Sequence, residues 1–317
     1  MKKMSSFKPL YPGVKLSALI VSDTHIDCKH PLPALPKYWL RSAAKDAEKS
    51  SRRQDAFITV GDTTSRGSEK NWQMVAQALK KRNPAKNMIF AIGNHDCWGD
   101  SGFDAAIENF YAFSKQITGN RREKPYFAHI INGYHFVFLG TDSDAGCEAQ
   151  ISDEQMSWFA SEMEKAGAGG KPVFVFCHQS LNGRHGLPRT WSREEKPDRD
   201  PAEGGIGERS EEVAAILKKY KNVFYFSGHS HMGLCGEKKA AAEGYSSFEY
   251  EDGVWLINLP SLACGNHHGE VNTMGMGFVL EVYDGKVVIR PRFTSTHRWN
   301  KSVAIKDGKP YLEQVIE

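Results

Sequence analysis

Aspartate and histidine recur along this 317-residue chain in a pattern suited to gripping cations. In order they are Asp23-Thr24-His25, Gly61-Asp62, Gly93-Asn94-His95-Asp96, His178 after an apolar run, and Gly228-His229-Ser230-His231. Carboxylate, amide and imidazole ligands without a thiolate suit Mn, Fe, Zn or Co in five- or six-coordination rather than a closed structural zinc site. Asp23 and His25 stand two apart where an apolar stretch ends. An extended backbone would aim both side chains at one ion, and His229 and His231 repeat the spacing. The glycines before these residues are expected to let the chain turn sharply beside the metals, through torsions that other residues resist.

Singly, each motif has a plainer reading. Asp-x-His or Gly-Asp after a strand is more often a turn, and one strand-end histidine is more often a satisfied core side chain. Most of these motifs, however, close a short hydrophobic segment that reads as a buried strand, so distant residues can converge on one sheet edge. The strand candidates are Leu16–Asp23, Ala56–Asp62, Met88–Asn94, Tyr126–Ile131, His135–Asp142, Val173–His178, Val223–Gly228 and Val254–Leu259, then a pair near Gly277–Tyr283 and Val287–Pro291. Asp284-Gly285 between the last two is a hairpin signal. Helical periodicity marks Pro36–Arg53, Glu69–Arg82, Phe103–Thr118, Asp153–Ala166 and Ser210–Tyr220, the fourth opening on a capping box of Ser152 and Gln155. Strands and helices alternate to about Tyr220, and the remainder is mostly β, which fits an α/β fold of helices packed outside sheets.

Composition excludes several classes. A net charge of +3 with 25% charged residues is nearly balanced, so no basic stripe for nucleic acid stands out and nucleic acid is not an expected partner. The six cysteines are scattered, with no Cys-x-x-Cys pair, which suits a reducing cytoplasm and argues against a zinc ribbon. Cys97 and Cys177 abut motif residues and read as small buried fillers. Leu16–Val21 is too short for a signal peptide or membrane span, so a cytoplasmic protein without membrane attachment is expected. The long irregular stretch Asn182–Arg209, with Arg184, His185, Arg189, Trp191 and Arg193, is expected to act as a substrate lid. His267-His268 and His297 read first as solvated histidines, with the rim of a substrate site as the alternative.

The ordered set resembles the calcineurin-like metallophosphoesterase superfamily, whose pattern is Asp-x-His, Gly-Asp, Gly-Asn-His-Asp/Glu, a lone His and Gly-His-x-His. The resemblance implies a four-layer α/β/β/α sandwich with two mixed β-sheets, formed as a single domain over residues 1–317, the mainly β segment 254–317 completing the second sheet. It implies two divalent or trivalent transition-metal ions. One would take Asp23, His25 and His231, the other Asn94, His178 and His229, with Asp62 bridging them. Metal-bound hydroxide would then attack phosphorus in line. On this pattern His95 is a catalytic non-ligand that stabilises the transition state or protonates the leaving group, and Asp96 is the carboxylate that orients it. Thr63, Thr64 and Ser65 follow Asp62 where purple acid phosphatases carry a tyrosine ligand, so an iron–tyrosinate chromophore is not implied. A small phosphorylated substrate is expected, a phosphodiester ahead of a phosphomonoester or phosphoprotein. Two other readings stay open: a ureohydrolase-type centre using Asp23, His25, Asp27, Asp142 and Asp144, and a scaffold without activity.

Overall fold

The computed structural model describes residues 6–29, 31–144, 146–191, 198–234, 244–265 and 275–316. Strands β1 (Leu16–Val21), β2 (Gln54–Val60) and β3 (Ala85–Ala91) run parallel, linked by helices α1 (Ala34–Glu48) and α2 (Glu69–Leu79). A single turn, α3 (Asn94–Cys97), and helix α4 (Phe103–Thr118) follow. Strands β4 (Phe127–Ile131) and β5 (Tyr134–Phe138) form a hairpin. Then come α5 (Asp153–Gly167), β6 (Val173–Phe176), α6 (Ser210–Leu217), β7 (Val223–Ser227), β8 (Phe248–Glu251) and β9 (Val254–Asn258). Four strands close the chain: β10 (Met276–Tyr283), β11 (Lys286–Phe293), β12 (Arg298–Trp299) and β13 (Leu312–Val315).

These strands make two mixed sheets. One runs β12-β11-β10-β1-β2-β3, with β13 also paired to β11, and the other runs β4-β5-β6-β7-β9-β8. Side-chain alternation then builds the layers, because neighbours along a strand face opposite sides. Leu16, Ala18 and Ile20 of β1 meet Phe174 and Phe176 of β6 and Phe224 and Phe226 of β7 in a core between the sheets. Leu19 and Val21 face the other way, into a second core under α1, α2 and α4, while Val173, Val175, Val223 and Tyr225 face a third under α5 and α6. The result is helix, sheet, sheet, helix. Phe127, Phe138, Phe176 and Phe226 stack in a row across the second sheet, with ring centroids 4.6, 4.6 and 5.1 Å apart.

Several boundaries differ from the sequence expectation for identifiable reasons. The strands that carry candidate ligands stop short of them: β1 ends at Val21 rather than Asp23, β2 at Val60 rather than Asp62, β3 at Ala91 rather than Asn94. The segment 254–317 is expected to complete the second sheet, but its described strands are divided between the two sheets. Only β9 joins β7, whereas β10 pairs antiparallel with β1 and covers the side of β1 that β2 leaves free. Ser152 caps α5 by accepting from Gln155 N at 3.2 Å, but the return half of the capping box is missing. Gln155 is buried and turns its amide to the Gly140 carbonyl and Asp142.

Candidate metal centre

All the motif residues lie beyond the C-terminal ends of parallel strands, the side of an α/β sheet where ligands generally gather. Asp23 and His25 follow β1, Asp62 follows β2 and Asn94 follows β3. From the other sheet, His178 follows β6 and His229 and His231 follow β7. The backbone does not arrive extended. Asp23, His25, Asp62, His229 and His231 all have left-handed φ, between 46° and 68°. Asp, Asn and His tolerate that region better than most residues, yet each such position still costs of order 1–3 kcal/mol, so the surroundings must hold it. Backbone bonds do so: Thr24 N and His25 N both donate to the Asp62 carbonyl at 2.9 Å, and Ile26 N donates to the Thr63 carbonyl at 3.0 Å. The loops after β1 and β2 are therefore one stitched unit.

The ligand atoms fall into two adjoining groups. Asp23, His25, Asp62 and His231 form one, and Asp62, His178 and His229 the other, with the ligand atoms within each lying no more than 4.8 Å apart. Asp62 belongs to both. His178 Nε2 lies 3.0 Å from Asp62 Oδ2, His25 Nε2 lies 3.4 Å from the same oxygen, and His231 Nε2 lies 3.2 Å from Asp23 Oδ1. Asp62 Oδ2, His178 Nε2, His229 Nε2 and both amide atoms of Asn94 are buried without a hydrogen bond. His178 Nε2 and Asp62 Oδ2 have only each other, at 3.0 Å, while His229 Nε2 and both Asn94 amide atoms have no partner, and buried polar atoms left so are costly unless something else binds them. Asp23 and Asp62 are both fully buried, and neither pairs with a Lys or Arg among the described residues. This donor set and its unbalanced negative charge fit a pair of cations.

Protonation supports the fit. Burial alone would lift the Asp62 carboxyl, but the surrounding histidines, His178 foremost, hold it below the usual range. Burial lowers His178 while Asp62 and Asp23 raise it, leaving it up at about 9, so in the absence of metal a proton supplies the positive charge there. The His178 Nδ1–H donates to the Val60 carbonyl at 2.7 Å, which commits Nε2 to the centre, the tautomer a metal ligand requires. The glycines act differently from expectation at two positions. Gly93 has an ordinary extended φ of −114°, but a Cβ there would stand 2.2 Å from Asp62 Oδ1. At Gly228 it would stand 2.0 Å from Ser22 Oγ and 2.5 Å from Asp23 Oδ2. Only Gly61, at φ 78°, also relies on the torsion.

His95 adjoins the cluster, its ring edge-on to that of His25 at 4.6 Å. The resemblance implies that Asp96 orients this ring, but the contact at its Nδ1 is with another residue. Its Nδ1–H donates to the Ser65 carbonyl at 3.1 Å. Asp96 instead accepts from Thr63 N, Thr64 N, Thr64 Oγ1 and Gly93 N, and so holds the Asp62 loop against the Asn94 turn. Burial and the neighbouring Asp62 push Asp96 up to about 7 against the pull of the Thr64 N–H, the Gly93 N–H and the Thr64 hydroxyl.

The ureohydrolase-type set does not assemble: Asp27, Asp142 and Asp144 belong to no candidate metal group among the described residues. Asp142 accepts from Ser152 N and Gln155 Nε2, and Asp27 and Asp144 each cap a turn. His297 binds Asp46 of α1 at 2.7 Å, and His267, His268 and Arg193 lie outside the described residues. In the 182–209 stretch, Arg184, Arg199 and Arg209 are engaged with acids, but Trp191 lies on the centre, stacked on His229 at 4.3 Å. Trp98 packs on His95 with the rings tilted, centroids 4.0 Å apart. Cys97 and Cys177 are buried in the two outer cores, as packing residues. Cys264 is the ligand type the sequence reading excluded: its sulphur forms a third group with His25 and His231. Nothing in its spacing signals this, because Cys264 follows β9 rather than either histidine motif.

Among the described residues no helix is long and apolar enough to cross a membrane. No curated protein matches the chain in sequence. Among solved structures it is similar to a dimetal phosphatase from Danio rerio, with 11% identity and a TM-score of 0.58 over 96% of this chain and 100% of that one. An archaeal phosphodiesterase aligns over 95% of this chain and 99% of that one at 14% identity, with a TM-score of 0.37. The first likeness shows the fold, the two-sheet architecture described above. The family model for calcineurin-like phosphoesterases matches residues 16–233, more than half of the chain and all but one side chain of the cluster. The chain therefore belongs to the calcineurin-like phosphoesterase family and is a metal-dependent phosphoric ester hydrolase.

Proposed function

We propose that the chain hydrolyses a small phosphodiester at a dinuclear centre in which Asp23, His25 and His231 hold one ion, Asn94, His178 and His229 hold the other, and Asp62 bridges them. The observation that carries this reading is the sharing of buried Asp62 between the two ligand groups. Two cations bound there would lower the pKa of a water held between them and stabilise charge on the phosphoryl oxygens. The chain's own side chains supply the rest. His178 and Asp62 keep their ligand atoms aimed inward without metal, so little rearrangement is needed on loading. His95, with Nδ1 committed to Ser65, has Nε2 to exchange a proton with the leaving oxygen. The preference for a diester follows from the surroundings of the centre. Trp98 and Trp191 present aromatic surface beside His95 and His229, which suits a second ester substituent.

The test compares turnover of an activated phosphodiester, an activated phosphomonoester and cyclic nucleotides, with Mn, Fe, Zn and Co each supplied and metal counted in the same sample. Diester turnover is expected to lead. Asp62→Ala and Asn94→Ala should lose most turnover together with metal, while His95→Ala should lose about 10²–10⁴-fold in kcat and keep its metal. A monoester preference across all metals would reverse the substrate assignment and leave the centre intact.

A further inference from the structure

The geometry points to Cys264 as a sulphur ligand of the ion held by Asp23, His25 and His231, which would make the two metal positions chemically unequal. This inference rests on the dinuclear reading above. The Cys264 sulphur and the ring nitrogens of His25 and His231 all lie within 4.8 Å of one another, and His25 Nε2 and His231 Nε2 are only 2.9 Å apart. Such spacing places three donors around one point.

The position of the thiol is built rather than incidental. The turn after β9 is fastened to the very loop that carries Asp23. Leu262 N donates to the Ser22 carbonyl at 2.9 Å and Ala263 N to the Asp23 carbonyl at 3.2 Å. Ser261 Oγ donates to the same Asp23 carbonyl at 3.1 Å and accepts from Cys264 N at 2.8 Å. The cysteine is thus held by backbone bonds to a residue that is itself a proposed ligand. Fully buried Asp62 Oδ2 lies 3.4 Å from His25 Nε2, in the neighbouring ligand group that shares His25 and His231 with the sulphur.

Coordination would replace the S–H bond by a sulphur–metal bond, with the proton released to solvent. A thiolate is soft, so this position would favour Zn, Fe or Co over Mn or Mg, whereas the position held by Asn94, His178 and His229 keeps only nitrogen and oxygen donors. The two sites should therefore fill with different metals when several are offered.

Loading the metal-free full chain with Co(II) tests this without relying on turnover. The expected result is a near-ultraviolet sulphur-to-cobalt charge-transfer band in the wild type and in Cys147→Ser. The band should be lost in both Cys264→Ser and Cys264→Ala, with circular dichroism unchanged and cobalt still bound. If cobalt binds to the wild type without the band, or the band persists in both Cys264 variants, the sulphur ligand is refuted and the dinuclear reading stands. If the folded wild type binds no cobalt, both fall together.

Discussion

Gly93 shows how tightly single atoms are placed in this centre. Its backbone torsion is one any residue adopts, so Gly93→Ala is a steric test alone: the added methyl would meet Asp62 Oδ1 at 2.2 Å and Asp62 N at 2.4 Å. Asp62 must move, and with it the oxygen shared by both ligand groups. We expect a stability loss of about 1–3 kcal/mol in denaturant titration and a clear drop in bound metal per chain. Unchanged metal content would show that Asp62 is not the bridge. Asp96 makes the complementary test. Asp96→Asn turns one acceptor oxygen into a donor facing backbone N–H groups, and should cost about 1–3 kcal/mol in denaturant titration as the Asp62 loop loosens from the Asn94 turn. At this scale the sequence announces which residues matter, because Asp, Asn and His carry their chemistry in their type and order. It does not announce how they aim. Even spacing implies extended backbone, but the left-handed φ of Asp23, His25, Asp62, His229 and His231 arises from hydrogen bonds between loops that are distant in sequence.

Elements hold these loops in register from the opposite end of the sheet. Asp55 on β2 accepts from Ser17 N of β1 at 3.0 Å, from Arg52 Nη1 at 2.6 Å and from Lys86 Nζ of β3 at 2.8 Å, so one carboxylate ties three adjacent strands. Burial would raise its pKa, but Arg52, Lys86 and the Ser17 N–H together lower it. A carboxyl depressed in the folded state binds fewer protons there than in the unfolded chain. Its contribution is therefore complete above the unfolded value near about 3.9 and fades as pH falls through the lower folded value. Asp55→Asn should lower stability at pH 7 by about 1–3 kcal/mol, and the gap from wild type should narrow on acidification below the unfolded value. A gap independent of pH would mean that the side chain acts only by packing. Strand order and most helices are legible in the sequence, since apolar runs and 3.6-residue periodicity are local signals. Strand ends, the four-residue α3, the two-residue β12 and the sheet that receives β10–β13 are not, because tertiary pairing decides them.

Across the whole molecule, the centre is the place where the two sheets are fastened at one end. The aromatic core between them supplies non-directional adhesion along their length, through pairs such as Phe138 on Phe176 and Phe176 on Phe226. The proposed ligands are directional and divided, with Asp23, His25, Asp62 and Asn94 following strands of one sheet and His178, His229 and His231 following strands of the other. Without cations, two buried carboxylates and several unsatisfied nitrogens face one another across that seam. Metal should therefore act as a clamp as well as a reagent. A cation that binds only the folded chain adds about 2.7 kcal/mol when present at a hundred times its Kd, so chelation should lower the melting temperature reversibly. The effect should also be local. Hydrogen exchange is expected to speed up in the loops after β1, β2, β6 and β7 when metal is withdrawn, and to change little around Asp55, where the strands are tied independently of the centre. Equal acceleration at both ends would assign the loss to the fold as a whole, and an unchanged melting point would show that the seam needs no ion to close.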